Sequence, residues 1–136
     1  MADYPEKVEF ELVAPERLLI SEAVDMVVVP GSEGDFGVLP RHTPLISGLR
    51  PGVIAVHNDG AVRQRIFVSG GFAEATPERC TVLADEAIAV DALERAAVEA
   101  RICDAREDIE DAKDDDARSA AESRLAVAEA MLTHIP

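Results

Sequence analysis

Tryptophan is absent from this chain, tyrosine occurs once and phenylalanine four times, so aromatics make up only 4% of 136 residues. Platforms on which bases or sugars stack are therefore scarce, and a core must be built from aliphatic side chains. Basic residues are few as well: 13 Lys and Arg stand against 27 Asp and Glu, for a net charge of −14. Such an excess repels phosphate backbones and anionic headgroups, which argues against nucleic-acid and membrane-surface binding. Long apolar runs are missing. The stretch from Met26 to Val29 is far below the roughly 20 residues a spanning helix needs, so no direct membrane insertion is expected. Asp3, Glu6, Glu9 and Glu11 open the chain where an export signal would be basic and then apolar. The two cysteines, Cys80 and Cys103, have neither CxxC spacing nor nearby His, and so suggest no disulfide framework or zinc site and fit a reducing compartment.

What is present falls into two halves with different hydrophobic periods. From Lys7 to about Asp85, apolar residues alternate or come in short runs broken by Gly, Pro and Asp, the pattern of many short strands. Val8, Phe10 and Leu12 alternate with Glu9 and Glu11, and Leu18 to Ile20 and Val24 to Val29 follow. Val53 to His57 and Val62 to Val68 flank Asn58-Asp59-Gly60, a hairpin signal. Phe72 to Thr76 and Cys80 to Ala84 suggest another hairpin, joined through Pro77, whose ring presets φ for a turn. Pro30 to Ser47 holds Gly31, Gly34, Gly37, Pro40 and Pro44 and reads as a loop with one short strand at Gly37 to Leu39. The expectation for residues 1–87 is an all-β sandwich.

Beyond Ala87 the chain has no Gly, and its only Pro is the terminal Pro136. Val98, Ile102, Ala105, Ile109 and Ala112 form one helical seam, and Ala117, Ala121, Leu125, Ala128 and Leu132 a second. Asp91 is the expected N-cap of the first helix. Between the seams, Asp114, Asp115 and Asp116 favour the start of a second helix. No Gly or Pro enforces the break, so residues 88–136 fit either a helical hairpin or a continuous rod. Burying an Ala methyl yields roughly 0.8 kcal/mol against about 1.5–3 for Leu or Val, so an Ala-rich seam closes weakly. The expected helical half is a mobile appendage on a firmer β domain.

Catalytic patterns are missing. His42, His57 and His134 have no mutual metal spacing, and His57 beside the turn reads as a solvated hairpin residue. Cys80 heads the alternating run Cys80, Val82, Ala84 and reads as a small core hydrophobe. Cys103 lacks the electropositive neighbourhood of a reactive thiolate. Lys7 and Lys113, the two lysines, do not follow a glycine, which excludes a phosphate-cradling GxxxxGK[ST] loop. Gly31, Gly34 and Gly37 are spaced GxxGxxG and not GxGxxG, and read as turn glycines.

The run GSEGDFGVLPRHTPLI from Gly31 to Ile46, then Leu49-Arg50-Pro51-Gly52, VSGGFAEAT from Val68 to Thr76 and CTVLADEA from Cys80 to Ala87, together resemble the epsilon subunit of F-type (F1Fo) ATP synthases. The likeness spans nearly the whole chain. It implies a ten-stranded β-sandwich followed by a two-helix C-terminal domain, on a rotor subunit linking the gamma subunit to the membrane ring of c subunits. The complex makes ATP from a proton gradient, and a subunit of this kind brings no catalytic group, cofactor or metal. It would sit peripherally, on the cytoplasmic face of a bacterial inner membrane. The resemblance puts the loop matching residues 35–45 near the rotor foot, so Glu33, Asp35, Phe36, Arg41 and His42 are the candidate contacts with gamma or the c-ring. Phe36, Val38 and Leu39 beside charges support an interface there, since apolar residues rimmed by polar ones mark covered surfaces. A second reading of the loop is that Gly and Pro merely shape an exposed connection.

Two departures from the family pattern matter. In the family, basic side chains of the extended C-terminal helices meet an acidic segment of the beta subunit and hinder ATP hydrolysis. Here residues 104–136 hold ten acids against four bases, Arg106, Lys113, Arg118 and Arg124, so weak inhibition is expected. Some members bind ATP through Asp, two spacers, Arg and Ala. The matching stretch here, Asp91-Ala92-Leu93-Glu94-Arg95-Ala96, has three spacers; at 100° per residue the extra one turns Arg95 away from the prescribed direction. Asp91 and Arg95 are the nucleotide contacts the resemblance would supply, and the spacing argues against them.

Overall fold

In the computed structural model, residues 6–15 and 17–136 are described; Asp3, invoked above, lies outside them. Ten strands follow one another: β1 (Val8–Ala14), β2 (Arg17–Val24), β3 (Met26–Gly31), β4 (Gly34–Val38), β5 (Leu45–Leu49), β6 (Gly52–Asn58), β7 (Ala61–Val68), β8 (Gly71–Ala75), β9 (Arg79–Ala84) and β10 (Ala87–Ala89). They are hydrogen-bonded in the order β10-β7-β6-β3-β5-β8-β9-β1-β2, with β4 attached to β3. Neighbours pair antiparallel except β1 and β9, which are parallel. Strands far apart in that order share one core: Val8, Phe10 and Leu12 of β1 cluster with Ile54 and Val56 of β6 and Ile66 and Val68 of β7. The sheet therefore folds back on itself as a sandwich, with alternate residues of each strand pointing inward.

The Asn58-Asp59-Gly60 signal forms a two-residue hairpin turn: Asn58 pairs with Ala61, and Asp59 and Gly60 have φ of 53° and 80°. At that corner Lys7 Nζ donates to Asn58 Oδ1 at 2.6 Å and lies 3.2 Å from Asp25 Oδ1. The Asp59 N–H donates to Asp25 Oδ2 at 2.7 Å. These bonds, the Asp59 amide first and Lys7 second, hold the Asp25 carboxyl below the usual carboxylate range. Thr76 and Arg79 close the β8–β9 connection, the Thr76 N–H donating to the Arg79 carbonyl at 2.8 Å. Cys80 is fully buried, and desolvation pushes its thiol up to about 12, consistent with a packing role.

Residues 30–47 are more regular than the sequence suggested. Pro30 and Gly31 finish β3, and Gly34 to Val38 form a strand where only Gly37 to Leu39 was expected. Gly34 and Gly37 are tolerated in β4 because it pairs only with β3, and Pro30, which has no N–H to donate, sits at the end of β3, where its carbonyl accepts from the Arg50 N–H at 3.1 Å.

By contacts, one compact unit ends at Ala89 and the second begins at Val90. The second holds a 3-10 turn, Val90–Ala92, then α1 (Arg95–Asp111) and α2 (Asp115–His134). Two helices form, not one rod, and they pack on each other. Asp91 lies in the 3-10 turn and does not cap α1; Glu94 stands at the N-cap without a side-chain bond. Leu93 is buried and its N–H donates to the Val90 carbonyl, so the chain has already turned once before α1 begins. Val98, Ile102 and Ala105 are buried in α1, and Ala121, Ala128 and Met131 in α2. Met131 is fully buried where the seam had nominated Leu132, which is half-buried.

Asp114 caps α2, accepting from the Ala117 N–H at 2.7 Å, with Asp115 and Asp116 in the first turn. Asp114→Ala is expected to cost α2 about 1 kcal/mol. Amide exchange in residues 115–118 should speed up while the β unit is unaffected; unchanged exchange there would contradict the cap's role.

Candidate functional site

Two segments and one sheet face carry the candidate residues. Ser32 and Glu33 form the turn of the β3–β4 hairpin, between the paired residues Gly31 and Gly34. Glu33 is exposed at its tip. Asp35, two residues on, is not a free carboxylate: it is ion-paired with Arg50, whose guanidinium also donates to the Gly31 carbonyl at 2.6 Å. Phe36 is half-buried against the core, opposite Val29. Its ring occupies the space over Gly31, where a Cβ would lie 2.8 Å from it. Val38 is fully buried, so of the three apolar residues expected to face a neighbour only Leu39, 53% exposed, stands clear. The correction has a simple cause: β4 is a strand, and alternation sends Phe36 and Val38 inward.

Arg41 and His42 lie in the connection from β4 to β5. Arg41 takes a left-handed conformation, φ 69°, and its N–H donates to the Pro77 carbonyl at 2.7 Å, which ties this connection to the β8–β9 turn. His42 is half-buried, with its N–H donating to the Leu39 carbonyl at 3.2 Å and its Nδ1 against the Thr43 carbonyl. The hairpin tip and this connection are thus separately anchored features of the same unit.

Asp91 and Arg95 are both exposed, one in the 3-10 turn and the other at the first residue of α1. Because Asp91 precedes the α-helix, the 100° step assumed between them does not apply, and no helical face joins the two. Among the described residues no three His, Cys, Asp or Glu side chains converge to hold a metal ion, and no helix is long and apolar enough to cross a membrane.

The sheet carries a feature that sequence reading missed. Gly48 of β5 pairs with Phe72 of β8, Phe72 with Leu83 of β9, Leu83 with Val13 of β1, and Val13 with Leu18 of β2. Directly paired residues point to the same face, so the side chains of Phe72, Leu83, Val13 and Leu18 form one apolar row across four strands on the outside of the sandwich, with Gly48 continuing the register onto β5. Leu18 is 57% exposed, Leu83 54% and Phe72 61%, with Val13 half-buried between them. Ile46, 71% exposed, lies diagonal to Phe72. The adjoining row brings Glu74, Thr81 and Glu11 into line, and Arg79 is bonded to Glu11 at 3.0 Å. An apolar row of this length with a polar border is unusual on a solvated surface. A signal existed: Phe72-Ala73 and Val82-Leu83 are apolar on consecutive positions, so both faces of β8 and β9 are apolar. The β1–β9 pairing that joins Leu83 to Val13, some 70 residues away, left no local trace.

Residues 7–90 match the family model for the β-sandwich domain of the ATP synthase delta/epsilon chain, and residues 94–135 match that for the C-terminal domain of the ATP synthase epsilon chain. The ATP synthase epsilon chain of Rhodospirillum rubrum is 55% identical over 93% of this chain and 95% of its own length. That of Rhodospirillum centenum is 57% identical over 97% and 92%. Among solved structures, a chain of the Euglena gracilis mitochondrial ATP synthase OSCP/F1/c-ring assembly superposes with a TM-score of 0.83 at 22% identity, covering 99% of this chain and 85% of that one. A chain of the Tetrahymena thermophila mitochondrial ATP synthase central stalk and c-ring gives 0.68 at 14% identity, covering 98% and 100%. At those identities the structural likeness concerns the fold.

Proposed function

From the premise that this chain belongs to the ATP synthase epsilon-chain family, we propose how its two units divide the work of a rotor subunit. The chain is a non-catalytic subunit of the central stalk of ATP synthase. Its β unit is the rotor-binding part. The outer row of Leu18, Leu83, Phe72 and Ile46 docks on the gamma subunit, and the exposure of those side chains is the observation that carries this reading. Glu74 on the border, beside the Arg79–Glu11 pair, calls for a gamma surface that is apolar at its centre and polar at its edge. Glu33 at the hairpin tip, with Arg41 and His42, is the part directed to gamma or to the c-ring. The chain binds no cofactor, and Asp91 and Arg95 play no part in nucleotide binding. Its place is peripheral, on the cytoplasmic face of a bacterial inner membrane.

A crosslinker placed at His42 in the assembled complex tests the loop assignment. Products with gamma or the c subunit are expected; products with the stator alone would reject it.

The helical unit regulates weakly. Arg118 and Arg124 are bases it could offer an acidic segment of the beta subunit, yet Arg124 Nη2 already lies 3.0 Å from Asp108 Oδ2. Freeing it exchanges one carboxylate partner for another, for little net gain. Removing residues 90–136 from the complex is therefore expected to raise ATP hydrolysis less than about twofold, in line with a coupling of well under 1 kcal/mol. A rise of an order of magnitude would contradict the reading.

A further inference from the structure

The base of the β3–β4 hairpin is firmly held, by the pairing of Met26 to Val28 with β6 and by burial of Val38, but its turn end meets β5 through few bonds. Its register with β5 consists of a single pair, Gly31 with Leu49, supplemented by the Ser32 N–H donating to the Gly48 carbonyl at 2.9 Å and the Arg50 N–H donating to the Pro30 carbonyl at 3.1 Å. All of these bonds act on the β3 arm or the first turn residue. The β4 arm beyond Glu33 has one link to this edge, the Arg50 side chain. That guanidinium reaches both arms at once, Nη1 donating to the Gly31 carbonyl of β3 and Nη2 to the Asp35 carboxylate of β4.

We infer that Arg50 is a positioning residue: by bridging Gly31 and Asp35 it fixes the angle at which the Ser32-Glu33 turn leaves the sandwich and so aims Glu33 at its rotor partner. The inference rests on the reading of that turn as a contact, and it changes the role of Asp35. Asp35 is consumed inside the chain, and Glu33 alone carries the negative charge at the tip. A planar guanidinium suits the task because its fork fixes two acceptors in one plane, which the point charge of a lysine does not. The bridge is exposed, with Arg50 42% and Asp35 61% accessible, so it adds little to folding stability. Its loss should therefore show in binding and in local order, not in melting.

The test uses the full-length chain and ATP synthase stripped of this subunit. Arg50→Ala and Glu33→Gln should each weaken rebinding by about tenfold, with the melting temperature of Arg50→Ala shifted by less than about 2 °C. The double variant should bind no worse than either single one, because a misaimed Glu33 has nothing left to lose. In the unbound chain, the backbone order parameter at Glu33 should fall from about 0.85 towards 0.6 in Arg50→Ala and fall likewise in Arg50→Lys, whose point charge does not fix both acceptors; parent-like order in Arg50→Lys would overturn the bridging role. A double variant weaker by the product of the two single effects, or an order parameter untouched by Arg50→Ala, overturns the positioning role. Glu33→Gln binding as the parent does, with the order parameter still falling in Arg50→Ala, would instead sink the turn as a contact and leave the bridge standing.

Discussion

Phe72→Asp combined with Leu83→Asp is expected to detach the chain from the rotor while leaving its β unit folded. Both side chains lie on the outer face, 61% and 54% exposed, and neither belongs to the buried cluster. Placing carboxylates there removes no core contact. It puts two charges into the centre of an apolar surface that gamma would cover, and central residues of such surfaces cost about 2 kcal/mol or more each when lost. The combined loss should reach on the order of a thousandfold in affinity. Val62→Asp is the matched control, since Val62 is 39% exposed on β7 and stands off the row. Melting of the isolated chain and titration onto the stripped complex decide the matter. Binding that survives the double substitution, in a protein that melts normally, would remove the row as the docking surface.

Gly71→Ala should be the most damaging single methyl in the β unit. A Cβ there would lie 2.0 Å from the Leu83 carbonyl oxygen and 3.0 Å from its carbon, while φ is +127°. Both obstacles are backbone, fixed by the pairing of Gly71 with Ala84 across the β8–β9 ladder, so no rotamer change relieves them. A loss of about 3 kcal/mol or more is expected, a large share of the roughly 5–15 kcal/mol that a domain possesses. Gly34→Ala separates the two causes. Its φ is +137° but no atom lies within 4 Å, so it bears conformational strain alone, of order 1–3 kcal/mol. Urea unfolding of both variants should rank Gly71→Ala clearly below Gly34→Ala. Equal midpoints would mean that the close approach to Leu83 contributes nothing.

The outer apolar row and the damaging glycine adjoin each other in sequence, at Phe72 and Gly71, and for one reason. Close packing of β8 on β9 is what brings Phe72 and Leu83 side by side. Within the candidate site, Glu33, Arg41 and His42 stayed on exposed or half-buried turns, where residue type and neighbouring Gly and Pro are informative. The surroundings of Asp35 and Phe36 were not legible in the sequence, because they depend on what approaches those residues in the fold. Arg50, 15 residues later, takes the carboxylate, and Gly31 leaves room for the ring.

Local chemistry determined much of this protein by itself. Alternation at Val8, Phe10 and Leu12, the Asp59-Gly60 turn and the shift to helical spacing after Ala87 are properties of neighbouring residues, and the β-then-α order follows from them. The aspartates at 114–116 start α2 for the same reason, since a cap bond spans three residues. Tertiary structure alone decided the register of β1 on β9, and with it the row from Leu18 to Phe72. It also decided that Arg50 bridges the hairpin. The register and the bridge depend on partners 15 to 70 residues distant, and no periodicity within a strand encodes which strand will lie beside it.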